Sequence, residues 1–180
     1  MSVASFPFLS RRFAGAGALA FAALVLQGNV GRTTNLDARL LAAHNYERSG
    51  AGLKPLNWNS ELAAGAAEWG EELAASNQFE HSPDAEEDEE PEGENLWMGT
   101  RAAFAPEEMV GMWIAEKKDF RPGIFPEVSR TGNLEDVGHY TQLMWRDTGQ
   151  VGCAVTRNGR HEYLVCRYST AGNVEGERVF

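Results

Sequence analysis

Between Tyr140 and Val155 the apolar residues change their spacing, and no single regular element accommodates both halves. Tyr140, Leu143 and Met144 recur at offsets of three and four, with Trp145 beside them, as in a short helix with one buried face. Over residues 150–157 the spacing becomes two, placing Val151, Cys153 and Val155 on one face of a strand. A chain with this switch must mix helix and strand, so the fold class is α+β. His139 stands at the entrance of the helix. An imidazole there is a candidate for a titratable site, and equally for a hydrogen-bonded core residue.

The strand leads into Asn158-Gly159, a hairpin turn signal, and the two cysteines of the chain, Cys153 and Cys166, flank it. A two-residue turn sets the sulfurs diagonally, roughly 7–8 Å apart and beyond the reach of most disulfides. A loop over residues 158–161 sets Cys153 opposite Cys166. Two buried free thiols are the third reading, and spacing alone does not choose among them.

Three more helices are expected upstream. Residues 36–48 carry Leu36, Leu40, Leu41 and Ala43 on an apolar side, with Asn35 placed to cap the start and 49–52 to stop it. His44 and Asn45 lie near its end and read as hydrogen-bonding links to nearby backbone. Leu62, Ala66, Trp69 and Leu73 mark a second helix to about Ser76; Gly65 and Gly70 interrupt it, which close packing against another element would explain. Pro106 opens a third, with Glu107 and Glu108 favouring its N-terminus and Met109, Val110, Trp113 and the stem of Lys117 on its inner side. Residues 120–137 read mostly as loop, and Gly172-Asn173 as a turn before a final segment returning along the domain edge.

Composition limits the partners. Lys and Arg total 16 against 26 Asp and Glu, a formal charge of −10, which disfavours nucleic acid and anionic membranes. Eight of the acidic groups fall within residues 84–94, a solvated run without the ligand spacing of a calcium loop. Glu94 closes this run just before Leu96, Trp97 and Met98, so it is the one expected to be partly buried and to need donors. Near the start, Arg11 and Arg12 precede a largely apolar run of 14 residues, short for a stable membrane span and similar to a secretory leader. Residues 1–27 are read as a signal peptide or membrane-proximal leader, 28–34 as a flexible segment and 35–180 as one domain. An uncleaved signal anchor is the other reading of the leader.

Residues 138–148, G-H-Y-T-Q-L-M-W-R-D-T, resemble the main signature of the CAP superfamily, the cysteine-rich secretory, antigen 5 and pathogenesis-related 1 (PR-1) proteins, also called the SCP or SCP/TAPS domain. Residues 164–174 resemble its second signature, departing at Thr170 where the family usually has proline or one of a small set of other residues. His44-Asn45-Tyr46-Glu47-Arg48 resembles the H-N-x-x-R of the first family helix, and Gly93-Glu94-Asn95-Leu96 its G-E-N box. The resemblance implies a three-layer α-β-α sandwich with a small, mainly antiparallel sheet. It also implies a Cys153–Cys166 disulfide formed after export, and so the longer hairpin loop or a bulge.

The resemblance further assembles His81, Glu94, Glu116 and His139 from four separate segments into one cleft, with His44, Asn45, Asn95, Tyr140 and Gln142 in structural support. His81 and His139 would bind zinc or another divalent cation, the glutamates fixing the tautomer of each ring. The function implied is that of a secreted, extracellular or periplasmic binding protein, with a lipid, sterol or cell-surface component as partner. Trp97, Met98, Met109, Met112 and Trp113 supply apolar material for such a ligand, or simply for the core. A metal-assisted hydrolase or peptidase using the same cleft is the catalytic alternative, although H-E-x-x-H is absent and no serine or cysteine sits in a nucleophile motif. An extracytoplasmic structural module without a small ligand is the third.

Overall fold

The computed structural model describes residues 31–83 and 91–180. Residues 1–27, read above as a leader, and the stretch 84–90 of the acidic run lie outside the described residues. Of the segment read as flexible, residues 31–34 are described, and Arg32 is tied down there. Its guanidinium donates to the Phe104 carbonyl at 2.8 Å and to the buried carboxylate of Glu162.

Helix α1 covers Leu36–Gly50, and β1 is the two-residue strand Asn57–Trp58. Helix α2 covers Ser60–Ser76, β2 Gly93–Thr100 and α3 Pro106–Ala115. A 3-10 turn, Glu116–Lys118, continues α3, and a second, Leu134–Asp136, precedes α4 at Gly138–Leu143. The hairpin is β3, Gln150–Arg157, and β4, His161–Ser169. The sheet runs β1-β3-β4-β2, with β1 parallel to β3 and the other pairs antiparallel. Helix α2 covers one face through Ala66 and Leu73 against Leu96, Tyr163 and Val165. The other face is covered by α1, α3 and α4, whose Leu40, Met109, Val110, Trp113, Tyr140 and Leu143 share a core with Leu164, Cys166 and Tyr168. This is the three-layer sandwich.

The hairpin has the longer loop. Arg157 pairs with Glu162 and Cys153 with Cys166, and the two cysteines form a disulfide. Asn158 holds the loop: its Oδ1 accepts from the backbone N–H groups of Arg160 and His161 at 2.9 and 2.8 Å. Residues 93–100, to which the spacing assigned no element, form the edge strand β2. Two sequence expectations need correction. Asn35 sits in the left-handed region at φ 52° and makes no side-chain cap, because in that conformation only its carbonyl serves the helix, accepting from Arg39 N–H at 3.0 Å. Lys117 falls in the 3-10 turn rather than on the inner side of α3; it is exposed, and its Nζ donates to Glu47 at 2.8 Å.

The glycines of α2 are where close packing requires them. A Cβ on Gly65 would lie 3.1 Å from the Arg167 guanidinium, and one on Gly70 2.7 Å from the Thr156 hydroxyl. The tightest approach to neighbouring backbone is on β3: a Cβ on Gly152 would meet the Ala63 backbone nitrogen at 2.2 Å and the Asn59 carbonyl at 2.4 Å. Backbone cannot rotate aside as a side chain can, so Gly152→Ala must push α2 off the sheet. The expected loss is about 2 kcal/mol in urea unfolding. Wild-type stability in that variant would contradict the packing described.

Candidate functional site

The residues that hold the site together are polar and buried. On α1 the fully buried positions are Leu40, His44 and Arg48, four apart, so the inner stripe of this helix is only one-third apolar. The His44 Nδ1 lies 2.8 Å from the Leu40 carbonyl, which can only accept, so this nitrogen carries the hydrogen. The other nitrogen, Nε2, is then an acceptor and receives the Tyr168 hydroxyl at 2.8 Å. Asn95 Nδ2 donates to that same hydroxyl at 3.2 Å and to the His139 carbonyl at 3.0 Å. A chain of hydrogen bonds thus runs from the core of α1 across the sheet to the backbone of His139. Burial, partly opposed by the bond to Leu40, lowers the His44 pKa to about 4 and keeps the ring neutral. Burial likewise raises the Tyr168 hydroxyl well above its ordinary value.

Asn45 locks the turn after α1, accepting Leu56 N–H at 2.7 Å and donating to the Leu56 carbonyl at 3.0 Å. Gln142, on α4, accepts Gly172 N–H at 2.9 Å. Its amide presses so closely on β2 that a Cβ on Gly93 would come within 2.1 Å of Oε1. Tyr140 donates its hydroxyl to Glu47 at 3.3 Å. These contacts fix α4 against the start of β2, the two places from which His139 and Glu94 project.

Each histidine is paired with one glutamate. His139 Nδ1 lies 2.6 Å from Glu116 Oε1, while Glu116 Oε2 accepts Tyr140 N–H at 3.0 Å. The carboxylate therefore orients the ring and also satisfies a free N–H in the first turn of α4. Trp113 stacks on the same ring, with centroids 6.0 Å apart and planes 12° from parallel. His81 Nδ1 lies 2.7 Å from Glu94 Oε1, which also accepts Ser82 N–H at 3.0 Å. Trp69 positions this loop by donating its indole N–H to the Glu80 carbonyl at 3.2 Å. Glu94 is largely buried, as its place before an apolar run suggested. Burial works to raise its pKa, but the bonds from His81 and Ser82 outweigh that and the carboxyl ends below its ordinary value. The same bond raises the His81 pKa.

A carboxylate only accepts, so in both pairs Nδ1 carries the hydrogen. Nε2 of His81 and of His139 is left with no hydrogen-bond partner among the described residues. Among the described residues the group of three suited on distance alone to a metal is His44 with Cys153 and Cys166, whose ligand atoms lie within 4.8 Å of one another. Its chemistry does not fit. Both sulfurs are consumed in the disulfide, and both nitrogens of His44 are engaged. Of the apolar residues that the resemblance offered for a ligand, Trp97, Met109 and Trp113 belong to the core, whereas Met98 and Met112 are exposed. The helical spacing did not reveal the burial of Arg48 or Glu162; H-N-x-x-R was the only signal for the former, and the latter carried none.

Known proteins share this architecture and sequence. A family model described as the cysteine-rich secretory protein family matches residues 41–168. The pathogenesis-related protein PR-1 type of Sambucus nigra is 33% identical over 139 residues, covering 77% of this chain and 78% of that protein. Among solved structures, Na-ASP-1 superposes with a TM-score of 0.65 at 22% identity, over 81% of this chain and 41% of the other. NaASP2 with Zn2+ superposes with a TM-score of 0.64 at 25% identity, over 80% of this chain and 84% of the other. With the signatures, the sandwich and the cysteine pairing in agreement, the chain belongs to the cysteine-rich secretory protein family, the CAP superfamily of PR-1 and antigen 5 proteins.

Proposed function

We propose that this is an exported CAP-domain binding protein whose His81–Glu94 and His139–Glu116 pairs jointly hold a divalent cation, zinc or a similar ion. One observation carries the reading: each Nδ1 is committed to a carboxylate, so each ring offers Nε2 in the tautomer that a metal requires. Two imidazole ligands leave the remaining positions to water or to an oxygen of the bound partner, which suits a reversible site more than a closed structural one. The relative crystallised with Zn2+ supports the same choice. Both oxygens of Glu116 are engaged, one by an imidazole and one by a backbone N–H, and the oxygen of Glu94 that accepts no hydrogen bond is buried, so neither carboxylate is placed as a general base and binding is favoured over hydrolysis. A lipid, sterol or cell-surface component is the proposed partner class, with exposed Met98 and Met112 as the apolar surface on offer. The leader at 1–27 would direct export, and an oxidised cysteine pair accords with an extracytoplasmic setting.

Equilibrium dialysis against zinc tests the site. Wild-type protein is expected to take up zinc in a stoichiometric ratio, and the double variant His81→Ala, His139→Ala to lose it while keeping its thermal transition. Uptake should also weaken on acidification, because the metal displaces a proton from His81, whose pKa is raised. Unchanged uptake in the double variant would defeat the proposal.

A further inference from the structure

The outer edge of β3 is covered for only part of its length. Strand β1 pairs with Gln150 and Val151 alone, and the chain then turns away at Asn59, the N-cap of α2. The direction of the β3 peptide groups beyond that point is fixed by two independent contacts. Asn59 N–H donates to the Val151 carbonyl at 2.9 Å, so Val151 faces outward, and by alternation so do Cys153, Val155 and Arg157. The Cα atoms of Cys153 and Cys166 are 4.1 Å apart, the spacing of an antiparallel pair that does not exchange backbone bonds. Cys153 itself is buried, but Val155 is half-buried and Arg157 exposed. Among the described residues, the outward N–H and carbonyl groups of Val155 and Arg157 have no partner.

A groove of about 460 Å3 follows this edge, lined by Glu71, Ala74 and Ala75 of α2 and by Val155, Thr156 and Arg157 of β3. The Thr156 hydroxyl donates to the Gly70 carbonyl at 2.6 Å, pinning helix to strand. Two alanine methyls are too short to fill the space between them. Arg157, which lines the groove where it nears the hairpin loop, is exposed, as is Arg160 in the loop itself, and neither has a carboxylate within ion-pair distance among the described residues. Unopposed guanidinium groups at the end of an open edge are unusual for a chain of net charge −10.

We propose that this edge binds an extended acidic segment of a partner protein, which adds as a strand beside β3. Unpaired backbone donors and acceptors in register are met in full only by another extended backbone. The narrow floor selects a small apolar side chain at the position facing Ala74 and Ala75. Arg157 and Arg160 select carboxylates at the end leaving over the hairpin loop. Glu71, one helical turn before Ala75, opposes a carboxylate at the other end and so sets the direction of the charge pattern.

The probe is a blocked hexapeptide of alternating threonine and valine that ends in two aspartates, added to the intact folded protein. In the free protein the Val155 amide should exchange with solvent far faster than that of Leu164 on the adjacent strand. Peptide should bind saturably and slow exchange at Val155. Arg157→Glu should weaken binding about tenfold, and Ala75→Trp, which fills the groove, should abolish it, both variants retaining the wild-type thermal transition. A peptide ending in two lysines should bind more weakly. Slow Val155 exchange in the free protein overturns the proposal, as does absence of saturable binding at millimolar peptide. Binding of a sulfated polysaccharide through the same arginines, with peptide giving no protection at Val155, overturns it too and reassigns the patch to polyanions.

Discussion

Replacing Arg48 with methionine is expected to lower the unfolding free energy by about 4 kcal/mol and the midpoint of thermal unfolding by roughly 10 °C. The side chain is fully buried and has no carboxylate partner. Its guanidinium instead serves four carbonyls: Nε donates to Lys54 at 3.0 Å, Nη1 to Leu143 and Trp145 at 2.9 and 2.8 Å, and Nη2 to Thr148 at 3.1 Å. Burial lowers the pKa of the group, but a guanidinium stays charged inside proteins, and the C-terminal carbonyls of α4 present the negative end of a helix to it. Methionine fills the space and leaves the Leu143, Trp145 and Thr148 carbonyls buried without these donors.

Arg48→Lys separates charge from geometry. An ammonium keeps the charge but cannot spread its hydrogens over carbonyls that surround a planar fork, so it should recover less than half of the loss. A lysine variant within about 1 kcal/mol of wild type would mean that the charge alone matters. Because Leu143 ends α4, Trp145 follows it by two residues and His139 stands in its first turn, the methionine variant should also bind zinc more weakly than wild type under conditions where it remains folded. A variant that is destabilised but binds zinc normally would show that α4 is positioned by other contacts.

Arg48 also illustrates what the chain revealed before its fold was known. Elements whose order is set by neighbours in sequence were legible. The alternation over Gln150–Arg157 marked β3, and the three-four spacing of Leu62, Ala66 and Leu73 marked α2. The hairpin loop was one of two geometries left open until Cys153 was found opposite Cys166. Less legible was anything whose reason lies far along the chain. Three of the four carbonyls held by Arg48 come from positions about one hundred residues later, and the partner of buried Glu162 is Arg32, 130 residues earlier. Strand β2 escaped detection because Asn95, Leu96 and Trp97 are all buried, which leaves no alternation to read. No spacing rule joins His81 to Glu94 or Glu116 to His139; family resemblance brought those four together, and the fold pairs them within 2.7 Å in each couple.

Acidification is expected to remove about 3 kcal/mol of stability between pH 6.5 and pH 4 through His44 alone. In the unfolded chain this imidazole takes up its proton near pH 6.5, whereas in the folded protein burial delays protonation to about pH 4. A depressed value means that the contribution is whole above pH 6.5, declines through the window and is gone below it. His81 acts with the opposite sign. Its raised pKa gives a contribution that is complete below pH 6.5 and lost as pH rises through the folded value, so it does not mask the effect of His44. Glu94, whose pKa is lowered, loses its contribution only below pH 4.5, near the end of the window. When His44 is protonated, Nε2 becomes a donor facing the Tyr168 hydroxyl, which must then turn its own hydrogen elsewhere. The link through Asn95 to the His139 carbonyl is disturbed at the same step. Urea unfolding at half-unit pH intervals should show the decline in wild type and a nearly flat line from pH 6.5 to 4.5 in His44→Gln, whose amide can donate and accept without titrating. Equal slopes in the two proteins would mean that another group drives acid unfolding and that the buried ring is not the proton acceptor.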